Sequence, residues 1–107
     1  MQAQLFSPAI DYKEQALQQM LALEWSDAFE SLKIAYDLDP YLADLALLAR
    51  LCEFAQQEGE RFKSSKQKAV ALWHAADEAL LQKQLNEAEV TNLRRILARH
   101  LLMKSAS

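Results

Sequence analysis

Two histidines, one cysteine and a short arginine run are the side chains of this 107-residue chain best suited to chemistry. His74 has Glu78 four residues on, and one helical turn is a spacing that lets an imidazole and a carboxylate share a metal ion. His100 lies 26 residues further along, on a different predicted helix. Neither His-Glu-x-x-His nor a pair of Glu-x-x-His motifs occurs, which removes the zinc-protease and di-iron signatures. Both histidines are therefore expected at the surface or its boundary, with no metal bound. Cys52 is the only cysteine, so an intramolecular disulfide and a multi-cysteine metal site are excluded. A nucleophilic thiol needs a lowered pKa and a base beside it. Nothing near Cys52 in sequence supplies either, and it is read as a small hydrophobe within the most apolar stretch. One glycine, Gly59, cannot build a phosphate-cradling loop. The acidic pairs Asp37/Asp39, Asp77/Glu78 and Glu87/Glu89 fall mostly at predicted helix ends, where capping and the helix dipole account for them. No catalytic residue and no cofactor is expected, and the chain is not read as an enzyme.

The run "NLRRILARH" holds Arg94, Arg95 and Arg99. On a helix Arg95 and Arg99 share one face while Leu93, Ile96 and Leu97 point inward, which describes the solvated side of an amphipathic helix. The functional alternative is an anion contact at these three arginines. Single-strand binders interleave aromatic side chains for base stacking, and none is interleaved here. Nucleic acid is accordingly not the expected partner. The net charge is −3, but it is unevenly spread. Residues 1–59 carry 3 basic and 10 acidic side chains (−7), and residues 60–107 carry 9 basic and 5 acidic (+4). The plain reading is that neighbouring helices complement one another, within the fold or across a homo-oligomer.

The elements that must position these residues are helical. Leucine (19) and alanine (18) make up a third of the chain, whereas Val, Ile and Thr together number only 6, so strand formers are nearly absent. Apolar spacing and caps predict five helices. The first runs from Pro8 to Leu23, with either Ser7 as its cap or Asp11 and Glu14 as a capping box. The second, Trp25 to Leu38, should bury Trp25, Ala28, Phe29, Leu32, Ala35 and Tyr36. Asp39-Pro40 should end it and start the third, central helix, which reaches Glu58 with Gly59 as its stop. A fourth helix is expected from Ser65 to Lys83. The last should begin at the cap Asn86, with Glu89 three residues on, and continue to Met103. The N-terminus shows no secretory signal and no apolar run approaches the roughly 20 residues a bilayer requires, so a cytoplasmic location without membrane contact is expected.

Within "EWSDAFESLKIAYDLDP", Trp25 sits at an inter-helix turn, with Ala28 three residues on, then Leu32, Ala35, and an Asp37-Leu38-Asp39-Pro40 ending. Ala28 and Ala35 lie two turns apart on one face, where short side chains let helices cross closely and Leu32 fills the groove between them. This pattern resembles the second half of a tetratricopeptide repeat. It departs from the family in the first helix, where the small residue is Ala16 and the turn glycine is replaced by Leu23. A second, looser repeat would pair residues 42–59 with 65–81, Gly59 and Phe62 suiting its turn, with the spacing to Ala69 and Ala76 stretched. The resemblance implies an all-α, TPR-like five-helix stack of two helical hairpins plus a C-terminal capping helix. It would form one domain over residues 1–107, frayed at 1–6 and 104–107. A plain five-helix bundle is the alternative.

In function the resemblance implies protein–protein interaction: an adaptor or assembly subunit holding a peptide or protein in a groove lined by the first helix of each hairpin. The groove candidates are Tyr12, Lys13, Gln15, Gln19, Arg50 and Glu53. Lys13 falls where some members grip a peptide carboxylate, but the companion asparagine is Leu17 here, so that clamp is not expected. Two other readings stand beside it. One is a self-associating homodimer of acidic and basic halves. The other is a polyanion-contacting accessory protein using the last helix.

Overall fold

The computed structural model describes residues 7–59 and 65–106. They form five helices and, among the described residues, no strand: α1 (Pro8–Leu21), α2 (Trp25–Leu38), α3 (Leu45–Gly59), α4 (Ser65–Leu81) and α5 (Glu87–Ala106). The all-α class expected from composition holds. No helix among the described residues is long and apolar enough to cross a membrane. The expected fraying of residues 1–6 and the role of Phe62 in a turn lie outside the described residues.

α1 starts at Pro8, whose missing N–H costs nothing at a first helical position. Ser7 precedes it in extended geometry, but its hydroxyl makes no capping bond; its carbonyl instead accepts from the Asp11 N–H at 3.2 Å. The helix stops at Leu21, two residues earlier than expected, because Leu23 turns left-handed (φ 61°). The Glu24 N–H then donates to the Gln19 carbonyl (2.8 Å) and the Leu23 N–H to the Met20 carbonyl (2.9 Å), closing the helix end in a Schellman turn. Glycine is usual at this position, and a leucine there costs about 1–2 kcal/mol of backbone strain. Packing of the partly buried Leu23 side chain on the core offsets it.

The same device ends α4. Lys83 takes φ 61°, the Gln84 N–H donates to the Ala79 carbonyl (2.8 Å) and the Lys83 N–H to the Leu80 carbonyl (3.2 Å). Thus α4 and α5 form a hairpin joined like α1 and α2, and α4 packs more extensively on α5 than on α3. This differs from the expected grouping of the third helix with the fourth. α5 opens with the predicted capping box: Asn86 Oδ1 accepts the Glu89 N–H and Glu89 Oε1 accepts the Asn86 N–H, both at 2.8 Å. It continues to Ala106, past the expected end at Met103. It also reaches back to α1, where the buried His100 donates its Nδ1–H to the Leu21 carbonyl at 2.7 Å. His100 was expected near the surface. It is buried because it caps the last turn of α1, whose carbonyls lack helical partners.

α3 packs on α2, α4 and α5, the central place predicted for it. It begins at Leu45 rather than Pro40. Asp39 Oδ1 accepts the Tyr41 N–H (3.0 Å) and the Asp39 carbonyl accepts the Leu42 N–H (3.2 Å), so the aspartate closes α2 and organises a turn instead of capping the start of α3. Asp44 then adopts φ 69°, which aspartate tolerates better than most residues, before the Leu48 N–H bonds its carbonyl.

A continuous core joins all five helices through Ala16 and Met20, Ala28, Leu32 and Ala35, Leu48, Leu51 and Cys52, Leu72 and Ala76, and Leu93 and Leu97. Ala28 and Ala35 are fully excluded from solvent, as close-approach positions should be. Two residues of α2 depart from expectation. Tyr36 is 56% exposed and Phe29 only partly buried, whereas Ser31 is buried. Ser31 is accommodated because its hydroxyl donates to Gln19 Oε1 (2.7 Å) and accepts from Gln15 Nε2 (3.4 Å).

Candidate functional site

The exposure of Tyr36 marks an open groove between α2 and α3. Its floor is apolar, made by Phe29 and Leu32 from α2 and by Leu45, Ala46 and Ala49 from α3; Tyr36, Lys33, Asp37 and Glu53 complete the lining. Its volume is about 290 Å³. The groove exists for two local reasons. The turn at residues 39–44 delays α3, and the alanines at 46 and 49 lack the bulk to fill the space opposite the aromatic pair Phe29 and Tyr36. Lys33 is held over the Phe29 ring, 5.8 Å from its centroid, and pairs with Glu30 at 3.4 Å. Asp37 and Glu53 enter no hydrogen bond or ion pair among the described residues.

The predicted groove residues separate into two sets. On α1, Gln15 and Gln19 turn toward α2 to hold Ser31, while Tyr12 and Lys13 are half-buried, Tyr12 against the core. On α3, Arg50 and Glu53 share a polar surface cavity of about 310 Å³ with Phe54, Gln57, Glu58 and Gln84. Glu53 therefore lines both this cavity and the apolar groove. Arg50 is engaged: its Nε donates to Glu89 Oε2 and its Nη2 to the Gln84 carbonyl (2.9 Å). That ties α3 to the α4–α5 turn.

The three arginines of α5 also part. Arg94 pairs with Asp77 and lies over the Trp73 ring, 5.4 Å from its centroid. A cation fixed in this way is committed to joining α5 to α4. Arg95 and Arg99 are exposed and share the outward face, as predicted. His74 is exposed, and Glu78 accepts from Gln82 Nε2 at 3.1 Å. Among the described residues no group of three or more potential metal ligands occurs.

Cys52 is fully buried in the core of α3. Burial pushes its thiol from the ordinary 9.0 up to about 12, and the negative charge of Glu53 adds to the rise. The folded chain thus keeps this proton where an unfolded chain would lose it. Its stabilising contribution is complete below pH 9.0 and is lost as pH climbs toward 12. A thiol reagent is expected to label the native protein only at the rate of its opening, and the denatured chain at once. Immediate stoichiometric labelling of the folded protein would contradict the burial.

The sequence carries a signal for the groove beyond the core stripe of α2. Phe29 and Tyr36 are seven residues apart on the flank of the α2 stripe, and Ala46 and Ala49 offer small side chains three apart on α3. Compared with family models, with curated proteins and with solved structures, the chain matches none.

Proposed function

We propose that the protein is a non-catalytic interaction module, an adaptor or assembly subunit, which holds a segment of a protein partner in the α2–α3 groove. The observation that carries this reading is an apolar floor left open beside the core, with a half-exposed tyrosine at its edge. Exposed apolar concavities rimmed by polar residues are the usual seats of helix-in-groove recognition, and tyrosines at their margins are frequent anchors. The protonated, enclosed Cys52 supports a packing role for the thiol. Of the residues first expected at a peptide groove, Glu53 remains at the partner surface. Gln15 and Gln19 are engaged with Ser31, and Arg50 with Glu89 and the Gln84 carbonyl.

A photo-cross-linking residue placed at position 36, and as a control at the exposed position 74, tests the reading in the protein's own cell. A discrete adduct is expected from position 36 and none from position 74. Ala46→Glu, which puts a charge on the groove floor at an exposed backbone site, should remove the adduct. No adduct from position 36, or equal adducts from both positions, would contradict it.

A further inference from the structure

We propose that the groove is occupied by the outer face of α5 from a second copy of this chain; this rests on the groove reading above and names its partner. Arg95, Arg99 and Leu102 lie at i, i+4 and i+7 on α5, a single stripe opposite the buried Leu93, Ile96 and Leu97. Leu102 is 70% exposed. Arg95 and Arg99 enter no ion pair among the described residues, whereas their neighbour Arg94 is held by Asp77. The stripe thus presents two cations without an ion-pair partner among the described residues, followed by an apolar side chain.

The groove is its chemical complement. It offers an apolar floor, with Asp37 on the α2 wall and Glu53 on the α3 wall, both without an ion-pair partner among the described residues, while the one cation of the lining, Lys33, is paired with Glu30. The same sign pattern runs through the whole chain, −7 in residues 1–59 against +4 in residues 60–107, more asymmetry than solubility requires. The stripe cannot reach the groove of its own chain. α5 is fixed by packing on α4 and by the His100 bond to Leu21, so the complement must come from another molecule. Because donor face and acceptor groove are different surfaces, the smallest closed assembly is a reciprocal dimer in which each copy supplies one of each.

Sedimentation equilibrium on the purified protein at low and high salt, with paired charge reversals, tests the proposal. The parent should associate at low salt, and its dissociation constant should rise about tenfold or more at high salt, since the screening length falls from ≈ 10 Å at 0.1 M to 3 Å at 1 M. Asp37→Lys with Glu53→Lys, and Arg95→Glu with Arg99→Glu, should each be monomeric with the parent's helical content, and an equal mixture of the two should associate again. Leu102→Ser should weaken association without reversing any charge. A parent that is monomeric at every concentration and salt, a reversed variant that associates like the parent, or a mixture that stays monomeric would each overturn the second-copy proposal. In that case a position-36 adduct whose mass is not twice that of the chain leaves the groove reading standing. Absence of any adduct removes both.

Discussion

Arg50→Ala is expected to lower the stability of the fold by about 2–3 kcal/mol. The Glu89 carboxylate is nearly enclosed, with its side chain 4% exposed, and it accepts from the Arg50 guanidinium on one oxygen and from the Asn86 N–H on the other. Removing the arginine leaves a buried charge with one donor and frees the Gln84 carbonyl at the α4–α5 turn. The cost stays below the 3–5 kcal/mol typical of a fully enclosed pair because Arg50 itself is 58% exposed and water can enter its place. Glu89→Gln should cost less than Arg50→Ala. The amide is neutral, keeps the volume, and leaves behind an arginine that is already hydrated. Denaturant titration of the two variants checks the order; an Arg50→Ala protein within a few tenths of a kcal/mol of the parent would mean that α3 is not anchored to α5 through this pair.

Ala28→Leu should cost about 1–3 kcal/mol by overpacking. Ala28 has no solvent exposure and lies in the core with Ala16 and Met20 of α1, in the most extensive helix–helix contact of the fold. Three added carbons can be accommodated only by parting the hairpin. Ala46→Leu makes the matched control, since Ala46 is exposed and opens on the groove; it should change stability by no more than about 0.5 kcal/mol. Equal melting temperatures for both variants would show that residue 28 is not a close-approach position.

The helices were legible where periodicity and caps agreed. α2 has the predicted ends because Trp25, Ala28, Leu32 and Ala35 form an unbroken stripe and Asp39-Pro40 cannot extend it. The Asn86–Glu89 box placed the start of α5 for the same reason. The α3 start was misplaced because Asp-Pro serves a helix cap and a turn equally well, and the choice fell to Asp39 bonding Tyr41 and to Asp44 turning left-handed. Neither choice is visible in residue type. Leu23 and Lys83 conceal their helix stops in the same way, since both take a conformation for which glycine is the usual signal.

The groove was hidden by a related gap. Tyr36 fits the helical spacing of the α2 core stripe, and only the delayed α3 and its short alanines leave it uncovered. His100 looked like a boundary residue because its partner is a backbone carbonyl 79 positions away, which no local pattern encodes. For the arginines, spacing correctly gave Arg95 and Arg99 the outer face, but the commitment of Arg94 to Asp77 and Trp73 needed the α4–α5 crossing.

Hydroxyl-radical footprinting of the protein in the assembly it forms addresses the α2–α3 groove most directly. In the dissociated chain, the half-exposed Tyr36 and the exposed His74 should both be oxidised. On assembly, Tyr36 and Phe29 should lose most of their reactivity while His74 on α4 keeps its own. Full oxidation of Tyr36 in the assembled species, with protection falling elsewhere, would contradict a partner seated between α2 and α3.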